Sequence, residues 1–263
     1  MKIVTFNIRY DTASDEKNAF HYRRDQIARK IKRESPDIIC FQEVLPHVAA
    51  WLKENLKGYY VVGCGRSRRL KDEQTAIAFK AERMNLIALD TYWLSDTPQV
   101  PGSRYEEQSV CPRICTEAVF QDLEEDTVFR VVNVHLDHAD SGVRGKEIRQ
   151  VLARIENEPS FPGVPVILAG DFYSEPDSEE IQEMHRQEQF EEVTGEIGAT
   201  YHGFGMADPM KVDYIFIQKP YICTGVKAWT DCRDGVYLSD HYPLCAELSL
   251  ETAVSSEKEE EES

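Results

Sequence analysis

Short apolar runs alternate with amphipathic stretches along the chain, the rhythm of an α/β protein. Residues 3–9 are β-rich, with Asn7 near the end of the run, and a polar loop follows over 11–18. Residues 21–34 put Ile27, Ala28 and Ile31 on one helical face, and Ser35-Pro36 stops that helix. Residues 37–42 form a short apolar strand of the buried kind, followed by a helix over 46–56 and a strand over 59–63. A strand–strand stretch occupies 74–94. The Pro/Gly/Ser-rich segment 95–112 reads as a long loop and a candidate for substrate contact. Runs over 114–122 and 127–135 flank Glu124-Glu125-Asp126 and predict a hairpin. Helices over 142–157 and 177–189 bracket a buried strand at 164–171, and strands over 212–218, 222–229 and 244–250 complete the pattern.

Nearly every buried run ends in polar residues: Asn7, Gln42-Glu43, His135, Gly170-Asp171, Asp213 and Asp240-His241. Carboxylates at the ends of apolar strands are expensive unless they are paired or hold a cation. Strands of one sheet would gather these groups at one rim. Asn, Glu and Asp oxygens suit a hard cation such as Mg²⁺, and neighbouring histidines suit proton handling or charge stabilisation. Taken singly, each has an ordinary structural explanation: Asn7 as a turn residue, Glu43 as a capping acid, His135 as a satisfied core histidine.

Composition changes this picture in three places. The 263 residues carry 47 acidic and 30 basic side chains, a formal net charge of −17. Such a field disfavours an extended nucleic-acid partner, whose affinity rests largely on Lys and Arg, though it leaves room for a local basic cleft. The acidic, low-complexity end marks a boundary: residues 1–252 read as one domain and 253–263 as a disordered tail. Finally, the seven cysteines are odd in number and scattered. Cys111 and Cys115 form the one close pair, without a partner pair to complete a zinc site, so free thiols in a reducing, cytoplasmic setting are expected. No apolar stretch is long enough to span a membrane, and oligomeric state is not legible.

The ordered set Thr5-Phe6-Asn7-Ile8-Arg9, Cys40-Phe41-Gln42-Glu43, Asn133-Val134-His135-Leu136-Asp137-His138, Gly170-Asp171-Phe172, Val212-Asp213-Tyr214-Ile215-Phe216 and Ser239-Asp240-His241-Tyr242-Pro243 resembles the endonuclease/exonuclease/phosphatase superfamily. That group includes DNase I-like nucleases, deadenylases, sphingomyelinases and inositol polyphosphate phosphatases. Trp93 to Pro98 and Pro112 to Thr116 are further similar to bacterial members near the deadenylase C-terminal domains. The resemblance implies two mixed β-sheets packed as a sandwich flanked by helices, and hydrolysis of phosphoesters with Mg²⁺ or Mn²⁺. It implies Glu43 as principal metal ligand with Asn7 and Asp240 beside it, and Asp171 as the carboxylate that orients and deprotonates water. It further implies His241, supported by Asp213, as a stabiliser of phosphoryl charge, and His135 as a further donor to the phosphate.

One position departs from the family pattern Gly-Asp-X-Asn: here Gly170-Asp171-Phe172 is followed by Tyr173. A phenol offers one O–H and cannot reproduce the donor–acceptor pair of an amide. It either crowds the site and slows it, or serves the phosphate itself. Candidates for substrate binding are Tyr173, Arg113 and Arg144. Arg66, Arg68, Arg69, Lys71 and Arg104 are further rim cations, and Tyr105, Tyr201 and Phe204 are aromatics that could stack a base. Three functions follow: a phosphoesterase acting on a phosphorylated small molecule or lipid head group, favoured by charge; a nuclease or deadenylase acting on single strands, favoured by family alone; and a phosphate-binding pseudoenzyme, favoured by Tyr173 alone.

Overall fold

The computed structural model describes residues 1–251, so the acidic segment 253–263 lies outside the described residues. Two six-stranded mixed sheets face each other. The first has the order β11 (Tyr221–Ala228), β14 (Leu244–Leu250), β1 (Lys2–Asn7), β2 (Ile38–Gln42), β4 (Ile77–Lys80), β3 (Tyr59–Val62). The second has β5 (Met84–Trp93), β6 (Ile114–Asp122), β7 (Thr127–His135), β8 (Val166–Asp171), β10 (Asp213–Ile217), β9 (Glu191–Glu192). A separate ribbon pairs β12 (Cys232–Arg233) with β13 (Val236–Tyr237).

Because strand side chains alternate between faces, strands apolar at every position are buried twice. On β1, Ile3 packs between the sheets while Val4 and Phe6 face outward; on β2, Ile38 and Cys40 lie inside while Ile39 and Phe41 face outward. The outer face of the first sheet is covered by α1 (Phe20–Glu34) and α2 (Pro46–Asn55), which bring Ile27, Ile31, Val48 and Leu52 to it. The outer face of the second is covered by α3 (Ser141–Glu156) and α4 (Glu179–His185), through Ile148, Val151, Ile181 and Met184. The result is the four-layer sandwich expected.

Most predicted elements stand within a residue or two of their place, and the 114–122 and 127–135 hairpin agrees at every boundary. The helix expected to reach residue 189 ends at His185. Two successive turns, Gln187 N–H to the Met184 carbonyl and Phe190 N–H to Gln187, carry Phe190 back onto the outer core instead. The 11–18 loop contains a 3₁₀ turn over Ala13–Asn18. All seven cysteines are free thiols. Among the described residues no helix is long and apolar enough to cross a membrane.

Candidate active site

The two central parallel pairs, β1–β2 and β7–β8, end at the same rim of the sandwich. Register does the assembling. His135 stands opposite Asp171 across β7 and β8, and Asp213 stands opposite Asp171 across β8 and β10, so three strand ends place three functional groups in one row. Facing them, Asn7 is opposite Gln42 across β1 and β2. Close approach of β8 to β7 requires glycine at 170: φ is +157°, and a Cβ there would stand 2.1 Å from the Val134 carbonyl oxygen.

Three non-glycine residues in left-handed backbone follow these strand ends: Arg9 at φ +60°, Glu43 at +61° and Tyr173 at +49°. Such a conformation costs about 1–2 kcal/mol for an L side chain.

The Asn7 carboxamide joins the halves of the site. Its Nδ2 donates to Glu43 Oε1 and to Asp171 Oδ2, both at 2.9 Å, while its Oδ1 accepts the Arg9 N–H. That backbone donor fixes which way the amide points. In this geometry the Asn7 nitrogen, not its oxygen, faces the two carboxylates, and the side chain ties Glu43 to Asp171. Glu43 is buried, takes the Tyr10 N–H at 2.8 Å on Oε2, and has no side-chain cation within ion-pair distance among the described residues. Asp240 receives the Ser239 hydroxyl at 3.1 Å and lies 3.6 Å from Arg9 Nε; Ser239 also donates to the Asn7 carbonyl.

Asp171 Oδ2 is the point of convergence. Besides Asn7, it has His135 Nε2 at 3.7 Å and His241 Nε2 at 3.8 Å. Burial, then the charge of Asp213, pushes the Asp171 carboxyl up to about 7 against the pull of His241 and Asn7. Burial alone would lower His241, but the Asp213 carboxylate on its Nδ1 at 2.8 Å wins and holds the imidazole up at about 10. His241 is thus held as a cation, with its ring oriented by Asp213. His135 is pushed the other way, well below its ordinary value, by burial and then by Arg113 and Arg66. Two histidines on either side of one carboxylate are therefore held in opposite charge states. Asp171, Asp213 and His241 also present ligand atoms within 4.8 Å of one another, close enough to hold a metal ion.

The rim cations fare unevenly. Arg113 is buried, bonds His138 Nδ1 at 2.9 Å, and lies 5.6 Å from the Tyr173 ring centroid. Arg144, expected to bind substrate, has its guanidinium on Ser174 Oγ, Glu180 and the Asp137 carbonyl, fastening α3 and α4 to the loop behind Tyr173. Arg66 is buried on Asp72 and Glu73 rather than presented to solvent, and Arg104 bonds carbonyls of its own loop. Tyr105 is also buried, its hydroxyl on Gln150, whereas Tyr201 sits edge-on against His241.

Sequence reasoning gave no role to Arg9, Arg23, His138 or Ser239. Arg23 had a signal: it falls on the apolar stripe of α1 between Phe20 and Ile27, where a charge is costly without partners. It is fully buried and donates to the carbonyls of Ile8, Arg9 and Leu238, anchoring both segments that carry Asn7 and Asp240.

The profile of the Endonuclease/Exonuclease/phosphatase family matches residues 4–241, and the chain belongs to that family. A protein of the same family from Bacteroides vulgatus has a structure superposing with TM-score 0.88 at 28% identity, covering 95% of this chain and 98% of that one. A mannosyl-6-phosphatase from Bacteroides thetaiotaomicron superposes at 0.86 with 22% identity over 95% and 100%, a likeness of fold. An uncharacterized protein of Acanthamoeba polyphaga mimivirus is 28% identical over 180 residues, 65% of this chain and 66% of its own length.

Proposed function

We propose that this chain is a metal-dependent phosphoesterase acting on small phosphorylated molecules. The observation that carries the reading is the convergence on Asp171 Oδ2: Asn7 at 2.9 Å, and His135 and His241 at 3.7 and 3.8 Å. A carboxylate held near neutrality beside a fixed imidazolium is what deprotonating water and stabilising a phosphoryl oxyanion require.

A divalent ion fits the residues present. Glu43 is a buried carboxylate lacking a side-chain cation partner among the described residues, and Asp240 is tied to the same Asn7 through Ser239, an oxygen-rich setting suited to Mg²⁺ or Mn²⁺. Glu43 and Asp240 would hold the ion, which supplies neutralisation of phosphoryl charge. The cluster of Asp171, Asp213 and His241 suits that role less well, since a protonated imidazole bonded to Asp213 is a poor ligand. Within this arrangement Asn7 keeps Glu43 and Asp171 a fixed distance apart. Asp171 accepts the proton of the attacking water as the water oxygen bonds to phosphorus and the ester P–O bond breaks, and the departing alkoxide takes up a proton from solvent to leave as the alcohol. His241 neutralises the charge that develops on the phosphoryl oxygens, and Asp213 keeps it charged.

The net charge of −17 supports a small substrate over a polynucleotide, as does the enclosure of Arg66 and Arg113 within the protein. Assaying a panel of phosphoesters with Mg²⁺ or Mn²⁺, with and without chelator, tests the reading. Turnover is expected to vanish on chelation, and Glu43→Ala is expected to lose calorimetric metal binding and activity together. Activity that survives exhaustive chelation equally in both proteins sinks it.

A further inference from the structure

We propose that Tyr173 makes this a phosphomonoester site, its ring excluding the second arm of a diester and its hydroxyl donating to a terminal phosphoryl oxygen. The inference rests on the phosphoesterase reading and narrows it to a substrate class. Three observations carry it. The ring is wedged: it stacks on His135 at 5.3 Å between centroids and 11° between planes, with Arg113 at 5.6 Å and His138 at 6.0 Å. It is held there in left-handed backbone, φ +49°, with its N–H on Asp171 Oδ1 at 3.0 Å. The family's asparagine would adopt that backbone with ease, so the tyrosine is present despite strain. Lastly, the hydroxyl makes no hydrogen bond to the protein among the described residues, and the ring that carries it lies against His135, one of the groups gathered around Asp171 Oδ2.

The consequence is steric and electrostatic. A monoester presents one carbon arm and three peripheral oxygens that share two charges. A diester carries a second carbon arm on one of those oxygens and keeps a single charge. A ring stacked on His135 fills volume that a shorter amide would leave open. What remains beside it admits an oxygen, to which the phenol O–H can donate, and rejects a carbon substituent. The Arg113 guanidinium, 5.6 Å from the ring centroid, adds positive charge beside it.

The test is calorimetric binding of phenyl phosphate and methyl phenyl phosphate to the Mg²⁺-saturated full chain, with turnover of both esters measured alongside. Wild type is expected to prefer the monoester. Tyr173→Phe keeps the ring and loses the donor, so monoester binding is expected to weaken roughly tenfold or more while the diester stays excluded. Tyr173→Asn suits the backbone and opens the volume, so the diester-to-monoester ratio is expected to rise at least tenfold. Melting curves close to wild type establish that both variants are folded. Variants that both keep the wild-type ratio overturn the proposal, even if turnover persists. Should the binding pattern hold while wild type turns over neither ester, the phosphoesterase reading falls and the binding assignment stands.

Discussion

The layer between the two sheets has two ends made from the same strands, and they differ in kind. Followed along β1, the inward residues are Ile3, Thr5, Asn7; along β2, Ile38, Cys40, Gln42. On β7 they are Phe129, Val131, Asn133, His135, and on β8 Ile167, Ala169, Asp171. β10 runs antiparallel to β8, and its inward residues, Ile217, Ile215, Asp213, become polar toward the same rim. One end is a dry core; the other is a buried polar network. In between, Gln42 donates to Asn133 Oδ1, Thr5 Oγ1 and the Cys40 carbonyl, and Asn133 donates to the carbonyls of Phe41 and Ala76. The comparison teaches that stability and chemistry are arranged in series along each strand. The apolar end fixes register, and because alternate residues share a face, fixed register delivers the polar end to the site.

If that is right, damage at the two ends has opposite signatures. The largest effect is expected at the polar end, from Asp171→Asn, which removes the proton acceptor without changing shape. Turnover should fall by about 10²–10⁴, yet the melting temperature of chelator-treated protein at pH 8 should hold or rise. The reason lies in proton linkage. The folded-state carboxyl is pushed up to about 7, by burial and then by Asp213, from an ordinary value near 4. Between those values the folded state binds more protons than the unfolded, so stability falls as pH rises across that window. Asparagine cannot ionise, so the variant should lack this decline. His241, raised to about 10 by Asp213 against burial, adds a loss of the same sign at higher pH, as stability declines through that value in both proteins. Thermal scans from pH 4 to 8 read the difference directly. Equal slopes for wild type and variant would mean that Asp171 is not strained by its burial.

Phe129→Ala attacks the dry end. Phe129 is fully buried and packs against Phe120 and Tyr221 at centroid separations of 5.9 and 5.8 Å. Truncation should cost about 3–5 kcal/mol of stability, seen in urea titrations, while turnover per folded molecule changes little at temperatures well below the transition. A proportionate loss of turnover would show that the two ends are not separable and that strain travels down β7 to His135.

This serial arrangement also explains how much could be read from the sequence. Strands buried on both faces announce themselves as short apolar runs, so nearly every strand and the polar residue that ends it were legible. Two-residue pairings such as β9 and the β12–β13 ribbon leave no periodicity to detect. Within the site, the identity of the gathered residues was legible from their shared position at strand ends, but the bonding among them was not. Whether Asn7 offers oxygen or nitrogen depends on the Arg9 N–H, a consequence of left-handed backbone just past the strand. Arg144 and Arg66 looked like rim cations because sequence shows charge without partners; Glu180 and Glu73, which bind them, lie on other segments of the chain or in the same loop with nothing to mark the pairing.

The smallest expected effect belongs to the boundary between the ends, and it decides how sharp that boundary is. Thr5 is buried on β1 between Ile3 and Asn7, and its hydroxyl accepts from Gln42 Nε2 at 3.2 Å. Thr5→Val keeps the shape and removes that acceptor. Gln42 retains Asn133 Oδ1 at 2.8 Å and the Cys40 carbonyl at 3.0 Å, so its amide hydrogens stay bonded. Net loss of one neutral hydrogen bond is worth about 0.5–1.5 kcal/mol, and the added methyl contact offsets part of it, so stability should change by less than about 1 kcal/mol. Turnover should stay within about twofold, because Asn7 is fixed independently by Glu43, Asp171 and the Arg9 N–H. A tenfold fall in turnover at unchanged stability would instead place Thr5 and Gln42 inside the functional network. The dry core would then begin one strand layer further from the rim, at Ile3, Ile38 and Val131.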